Sequence, residues 1–364
     1  MKKILLFIKL PPPTTGATLM NQYVADSKLL RNNFNIRTIG ISYALNVAEM
    51  GKFRFSKVKT ICITWLRLLY ELIHFKPDLV YFQISPLGLA FIRDSLYVMI
   101  MKLFRKKIVF HLHGKGISKQ IDSSIKRMIY NFVFKNQDVI TLSKLLDYDV
   151  KEVFNGRIYH VPNGIPVVKY NNKVRDENST IEILYLSNLI KSKGILDFVD
   201  AMEILKNKNL LFQANIVGKE ADLSVQELTN LIKLKDLCSY VSYLGSKYGN
   251  EKTEIYINSD VLVFPTKYKN ETFGIVNIEA MQFSIPVITT NEGAILEIID
   301  NGITGYIVDK NSPNQIADKI EFLINNPDKR IEMGKAGRKK FLENYTIDKF
   351  EQNLKNVFDN ILDS

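Results

Sequence analysis

Two carboxylates, Glu271 and Glu279, flank a glycine, Gly274, in the run V-L-V-F-P-T-K-Y-K-N-E-T-F-G-I-V-N-I-E-A-M-Q-F-S-I-P-V-I-T-T over residues 261–290. The apolar stretch 261–264 is short enough for a buried strand, and 265–272 is a polar loop. A helix is predicted over about 273–283. Pro286 stops it, and 286–289 opens another strand. Ligands bind open α/β sheets beyond the carboxyl ends of such strands. The backbone amides of Phe273, Gly274, Ile275 and Val276 would have no partners inside the helix and would face an anion such as a phosphate. Gly274, without a Cβ, lets that anion approach closely. A carboxylate on each side of an anion site suits a molecule with hydroxyls at both ends and a diphosphate between them, a sugar nucleotide. The same spacing also fits a capped surface helix with two solvated glutamates.

The elements around this unit repeat its alternation. Residues 2–9 read as a first strand, followed by the turn P-P-P-T-T-G-A-T and a helix over 19–32. Gly16 in that turn could help hold a phosphate at a helix start, or the segment is a plain strand-to-helix connection. Residues 78–83 and 107–112 read as strands, and the second ends in His111-Leu112-His113-Gly114. A strand's carboxyl end places such a group toward a ligand, although a lone histidine is more often structural, and His111 is read as structural. Residues 52–75, with Trp65, Leu68, Leu69 and Leu72 at helical spacing, are read as a helix packed on the sheet. Residues 86–101 are strongly apolar but include Arg93 and Asp94, and they are shorter than a membrane span. They read as a buried helix with a solvated basic end (Lys102, Arg105, Lys106, Lys107), or as one lying at a membrane face. Residues 138–143 read as a strand, and 169–179 as a linker. Strand 181–186 follows, then S-N-L-I-K-S-K-G, which contains Asn188 and Lys193. Further strands are read at 212–218 and 241–245, and helices at 250–258, 313–325, 330–344 and 345–362.

At 364 residues the chain is long enough for two domains, and 46% apolar with 24% charged residues is a globular composition. Cys62 and Cys238 lie far apart, without a metal-binding or redox spacing, which fits a reducing cytosol. The apolar start is broken by Lys9 and lacks a small-residue cleavage site, so it reads as a strand rather than a leader. The net charge of +11 is uneven. Residues 1–165 hold 25 Lys and Arg against 10 Asp and Glu, and the remainder holds 24 against 28. A basic half suggests an anionic partner, such as a membrane surface. No zinc-finger, RNA-binding or helix-turn-helix pattern is present, and no nucleic-acid partner is expected.

The segment P-T-K-Y-K-N-E-T-F-G-I-V-N-I-E-A-M-Q-F-S-I-P-V-I resembles the signature of family 4 glycosyltransferases, P-S-x-x-E-x-F-G-x-x-x-x-E-A-M-A-x-G-x-P-V-I, departing at Ser284 where the family usually has Gly. Y-H-V-P-N-G-I at 159–165 and N-E-G-A at 291–294 resemble further family segments. The resemblance implies a GT-B fold: two Rossmann-like domains facing across a cleft, at 1–168 and 169–345, with a helix over 346–364 returning to the first. It implies retaining transfer of a sugar from a nucleotide, with a UDP-sugar favoured over GDP-mannose, to a glycan or lipid-linked acceptor in polysaccharide or lipopolysaccharide synthesis. By resemblance Glu271 contacts the donor sugar and Glu279 the ribose. Lys193 neutralises the diphosphate, with Asn188 standing where an Arg is frequent. Gly16 lies near the diphosphate, and His113 near the sugar and reaction centre. The D-x-D triplet Asp147-Tyr148-Asp149 matches a metal-diphosphate motif of a different fold and is read here as a solvated helix face. No metal or other cofactor is expected, the nucleotide-sugar being a substrate. The expected location is the cytoplasm, peripheral to the inner membrane face. An epimerase of the same fold and a non-catalytic glycan-binding protein are the competing readings.

Overall fold

The computed structural model describes residues 1–12, 14–41, 55–170 and 180–364, with the side chains of 55–58 left aside. Pro13, most of the expected 169–179 linker and the first residues of the 52–75 reading therefore lie outside the described residues. The chain forms two compact units, Met1–Gly164 with Ile347–Ser364, and Ile165–Thr346.

The first unit carries β1 (Lys3–Lys9), α1 (Gly16–Asp26), α2 (Lys28–Asn33), β2 (Asn35–Ile41), α3 (Phe55–His74), β3 (Leu79–Phe82), α4 (Gly88–Leu103), β4 (Lys107–His111), α5 (Ser124–Phe134), β5 (Asp138–Thr141) and β6 (Ile158–His160). Its sheet is parallel in the order β2-β1-β3-β4-β5-β6. The inner strands β1, β3, β4 and β5 are near-continuous buried runs because both faces are covered, whereas the edge strands β2 and β6 are partly exposed. One face packs on α3, α4 and α5 through Leu68, Phe91, Tyr97 and Phe134. The other packs on α1, α2 and the last helix of the chain through Met20, Leu30, Phe350 and Phe358.

The second unit carries β7 (Ile181–Leu186), α6 (Ile195–Asn207), β8 (Phe212–Val217), α7 (Val225–Leu234), β9 (Val241–Tyr243), α8 (Gly249–Ile257), β10 (Val261–Phe264), α9 (Ile275–Gln282), β11 (Val287–Thr290), α10 (Ile295–Ile298), β12 (Gly305–Val308), α11 (Pro313–Asn325) and α12 (Pro327–Asn344). α13 (Ile347–Leu362) returns to the first unit. The second sheet is also parallel, in the order β12-β11-β10-β7-β8-β9. Both sheets are built outward from one strand and then from its other side. This puts a topological switch between β1 and β3 in one sheet and between β7 and β10 in the other, the places where open α/β sheets present ligand sites.

Three expectations are corrected. The helix expected over 19–32 is two helices and starts at Gly16, because Thr15 and Thr18 form a capping box ahead of it. The helix expected from Phe273 starts at Ile275: Gly274 takes φ +70°, which no helical residue adopts, so Phe273 belongs to the loop and its amide is not one of the helix-start donors. The D-x-D triplet is not a solvated face. Asp149 is buried, and its carboxylate accepts from the amides of Gly116, Ile117 and Ser118 at 2.8, 3.1 and 3.1 Å. Asp147 accepts from Thr141 at 3.1 Å and pairs with His160 at 3.0 Å.

Candidate active site

The β7/β10 switch gathers most of the expected residues of the second unit. After β7 the chain makes a single 3₁₀ turn, Lys191–Lys193, and Gly194 follows with φ +86°. A Cβ on Gly194 would stand 2.1 Å from the carbonyl oxygen of Pro265, at the end of β10. Only glycine permits this approach. The amide of Lys267 donates to the Ser192 carbonyl at 2.8 Å, and the Lys267 ammonium reaches Asp197 at 3.0 Å. The loop after β7 is thereby fastened to the loop after β10.

That fastening brings Lys193 onto Glu271. Its ammonium makes a short charged hydrogen bond to Glu271 Oε2 and lies 4.9 Å from the centroid of the Tyr268 ring and 5.4 Å from that of Phe264. The two side chains keep only 17% and 11% of their exposure. A pair so far from bulk water is stronger than a surface ion pair, and removing one partner strands the other. Gly293, at φ +59°, presses against the carbonyls of Glu271 and Thr272, where a Cβ would sit at 2.5 and 2.6 Å. Glu271 is thus held from both sides.

Glu279 lies on α9, in its second turn. Lys252 donates to Oε1 at 2.6 Å and the Tyr256 hydroxyl to Oε2 at 2.8 Å, both from α8. Burial, followed by the neighbouring carboxylate, holds the Tyr256 phenol well above its ordinary value, so it remains a donor. Neither glutamate is the solvated residue of a capped surface helix. Between them, the start of α9 presents the backbone of Gly274, Ile275 and Val276, with the first intrahelical bond running from the Asn277 amide to the Gly274 carbonyl. Asn188 stands exposed after β7.

The first unit holds the other two expected residues, Gly16 and His113, together with His111. Gly16 is exposed as the first residue of α1. His111 is fully buried, 2.6 Å from the Tyr81 hydroxyl, and its ring lies 4.2 Å from that of His113. Both His113 nitrogens are shut off from solvent. Burial, with the Lys9 charge nearby, pushes the His113 ring down to about 3, so it is neutral at physiological pH. At the β1/β3 switch, Lys9 donates to Ser85 Oγ at 2.5 Å, and Asp94, fully buried, accepts from the Ser85 amide at 2.8 Å and from Arg93 at 2.6 Å. Burial brings Lys9 down to about 8. Sequence reading missed this knot, and it missed Lys252 and Tyr256 as partners of Glu279. Only the Lys252–Tyr256 spacing of four, one turn apart on a helix, hinted at a shared target.

Residues 169–340 match the family model of glycosyl transferases group 1. Among curated relatives, the capsular polysaccharide biosynthesis glycosyltransferase CapM of Staphylococcus aureus is 31% identical over 209 residues, covering 55% of this chain and 53% of its own, so that alignment spans about half of the relative. The uncharacterised glycosyltransferase MJ1607 of Methanocaldococcus jannaschii is 23% identical over 98% of both chains. Among solved structures, Anabaena HepE, in complex with UDP and glucose, superposes with a TM-score of 0.73 over 99% of this chain and 100% of its own at 17% identity, which speaks to the fold. The two parallel sheets are those of the GT-B architecture, and residues 169–340, most of the second unit, are similar to the group 1 glycosyl transferases.

Proposed function

We propose that this glycosyltransferase moves a sugar, with retention of configuration, from a nucleotide-sugar donor to a glycan or lipid-linked acceptor in cell-surface polysaccharide or lipopolysaccharide synthesis, a UDP-sugar coming before GDP-mannose as donor. The observation that carries this reading is the Lys193–Glu271 pair beside the start of α9, with Glu279 one helix turn further on. A diphosphate bound at the helix start takes hydrogen bonds from the Gly274, Ile275 and Val276 amides, and its charge draws the Lys193 ammonium. Glu271, released from part of that pairing, accepts hydrogen bonds from the sugar hydroxyls. Glu279, fixed by Lys252 and Tyr256, does the same for the ribose. As the glycosidic bond breaks, negative charge grows on the leaving phosphate, where Lys193 and the amides already stand. The family resemblance adds Gly16 and a neutral His113 as donor contacts. No step in this reading needs a metal, so chelation of divalent ions leaves turnover unchanged. The HepE complex with UDP and glucose supports the choice of base, and CapM's name supports the polysaccharide context.

The test is a thermal-shift screen against UDP, GDP, ADP and their common sugars. A rise in melting temperature with UDP and a UDP-sugar is expected, and Glu279→Ala should abolish it. A rise with ADP alone, or with no nucleotide, overturns the donor assignment.

A further inference from the structure

The outer surface of the first unit is apolar where a doubly wound fold ordinarily shows charge. Along α4, Leu89, Ile92, Leu96, Met99 and Leu103 are exposed, by 43–80%. Their spacing of three and four residues puts them in one stripe about 21 Å long. The opposite face of α4 is packed into the core through Phe91, Tyr97, Val98 and Met101. α3 and α5 pack on either side of α4 on the same face of the sheet. They continue the surface, α3 with Leu66, Tyr70 and Ile73, and α5 with Ile125, Met128 and Phe132, all exposed. Helices packed at roughly 10 Å make this an apolar area of about 20 by 20 Å, at the upper end of what monomers normally leave open.

Charge says what covers it. Residues 55–135, which contain the three helices, hold fourteen Lys and Arg against four Asp and Glu, so ten of the chain's net +11 lies here. Arg67 on α3, Lys126 and Arg127 on α5, and Arg105 just beyond α4 are exposed around the apolar stripes. A second protein copy would bring the same positive charge to the contact. An anionic bilayer brings the opposite charge and a hydrocarbon boundary for the Leu, Met and Phe side chains. Among the described residues no helix is long and apolar enough to cross a membrane. We propose that the α3–α4–α5 layer lies on an anionic lipid surface, with the α4 stripe inserted at the headgroup boundary. This deepens the lipid-linked-acceptor reading given above and takes its purpose from it, while resting on a surface remote in sequence from Lys193, Glu271 and Glu279.

The experiment is co-sedimentation of the full chain with vesicles of phosphatidylglycerol and phosphatidylcholine, or of phosphatidylcholine alone, at low salt. The wild type is expected to sediment with the anionic vesicles and to remain in solution with the neutral ones. Leu96→Asp with Met99→Asp, both on the exposed stripe, should lower the partition coefficient about tenfold or more. Arg105→Gln with Lys126→Gln should lower it about five-fold for each charge removed. All variants should keep the wild-type melting temperature and its shift with UDP, so that failure of docking is told apart from failure of the donor site. Failure of the wild type to bind anionic vesicles overturns the proposal. So does equal binding by the Leu96→Asp/Met99→Asp variant, or a wild-type dimer that this variant turns into a monomer without lipid.

Discussion

The two sheets have the same kind of switch point and use it differently. At the β7/β10 switch each cation faces a carboxylate that keeps some exposure: Lys193 with Glu271, and Lys252 with Glu279 close by on α8 and α9. At the β1/β3 switch Lys9 and Arg93 share Asp94, which has no exposure at all. There burial outweighs the shared carboxylate and brings Lys9 down to about 8, while His113 falls to about 3 and His111 well below its ordinary value. Paired, partly open charges can be exchanged for the charges of a ligand. The two histidines, kept neutral by burial, hold a shape and donate or accept hydrogen bonds without titrating in the physiological range, while Lys9 stays mostly charged beside Asp94. Topology determines where polar groups collect, and the balance of carboxylate against burial determines what they can do.

The comparison is broken most severely at Lys193. Lys193→Met should lower kcat/KM by about 100- to 1,000-fold, the usual effect of removing one preorganised donor from developing negative charge. It should also destabilise the protein, because Glu271 is left as a desolvated carboxylate. Adding Glu271→Gln removes that stranded charge, so the double variant should regain stability in urea unfolding while staying inactive. Recovery of turnover in the double variant would mean that the pair is structural and that the diphosphate lies elsewhere.

The next effect is on pH dependence, and it should appear in one unit only. All four histidines lie between residues 74 and 160, in the first unit. His113 has a folded-state value near 3 against an unfolded value near 6.5. Between those limits the unfolded chain binds the proton and the folded chain does not, so stability is full above about pH 6.5 and falls as pH drops toward 3. His111 acts in the same direction. Each contributes a slope of up to about 1.4 kcal/mol per pH unit. His113→Asn should remove one such slope from unfolding curves measured at pH 7, 6 and 5. An unchanged slope would show that the ring is hydrated and titrates normally.

Much of this organisation was legible in the chain. The apolar runs 261–264 and 181–186 are strands because parallel strands covered on both faces need no alternation. Lys193-Gly194 and Glu271 each read as part of a loop after a strand, and the structure adds that the two loops are fastened together and why the glycine is needed: Pro265 leaves no room for a Cβ. What could not be read depends on distance along the chain. Lys252 and Tyr256 reach Glu279 from 27 and 23 residues away. Asp149 caps amides more than thirty residues earlier, which buries one carboxylate of a triplet that reads as wholly solvated in the sequence, while Tyr148 stays exposed. For 86–101 the sequence offered a buried helix or a membrane-facing one. α4 is buried on one side and carries an exposed apolar stripe on the other, because a run that is apolar all round does not say which side the sheet will cover.

The smallest predicted effect contrasts the two ends of α9 itself. A left-handed residue lies beside each end, Gly274 at φ +70° and Ser284 at φ +58°. At Gly274 a Cβ would meet the side-chain Nδ2 of Asn277 at 2.8 Å and the Phe264 ring at 3.3 Å, and with the φ of +70° this crowding favours glycine at the helix start that faces the ligand. At Ser284 a side chain is accommodated, its hydroxyl 3.4 Å from that of Tyr170, although the left-handed backbone costs a non-glycine residue about 1–2 kcal/mol. Ser284→Gly relieves that strain but adds unfolded-chain entropy worth roughly 0.5–1 kcal/mol. The net gain should be about 0.5 kcal/mol, read as a rise of one to two degrees in melting temperature. Turnover should not change, because residue 284 touches the end of α9 that points away from the helix-start amides. A loss of turnover in Ser284→Gly would mean that the turn after α9 sets the position of Glu279, and the contrast between a constrained start and a tolerant end of the helix would then be wrong.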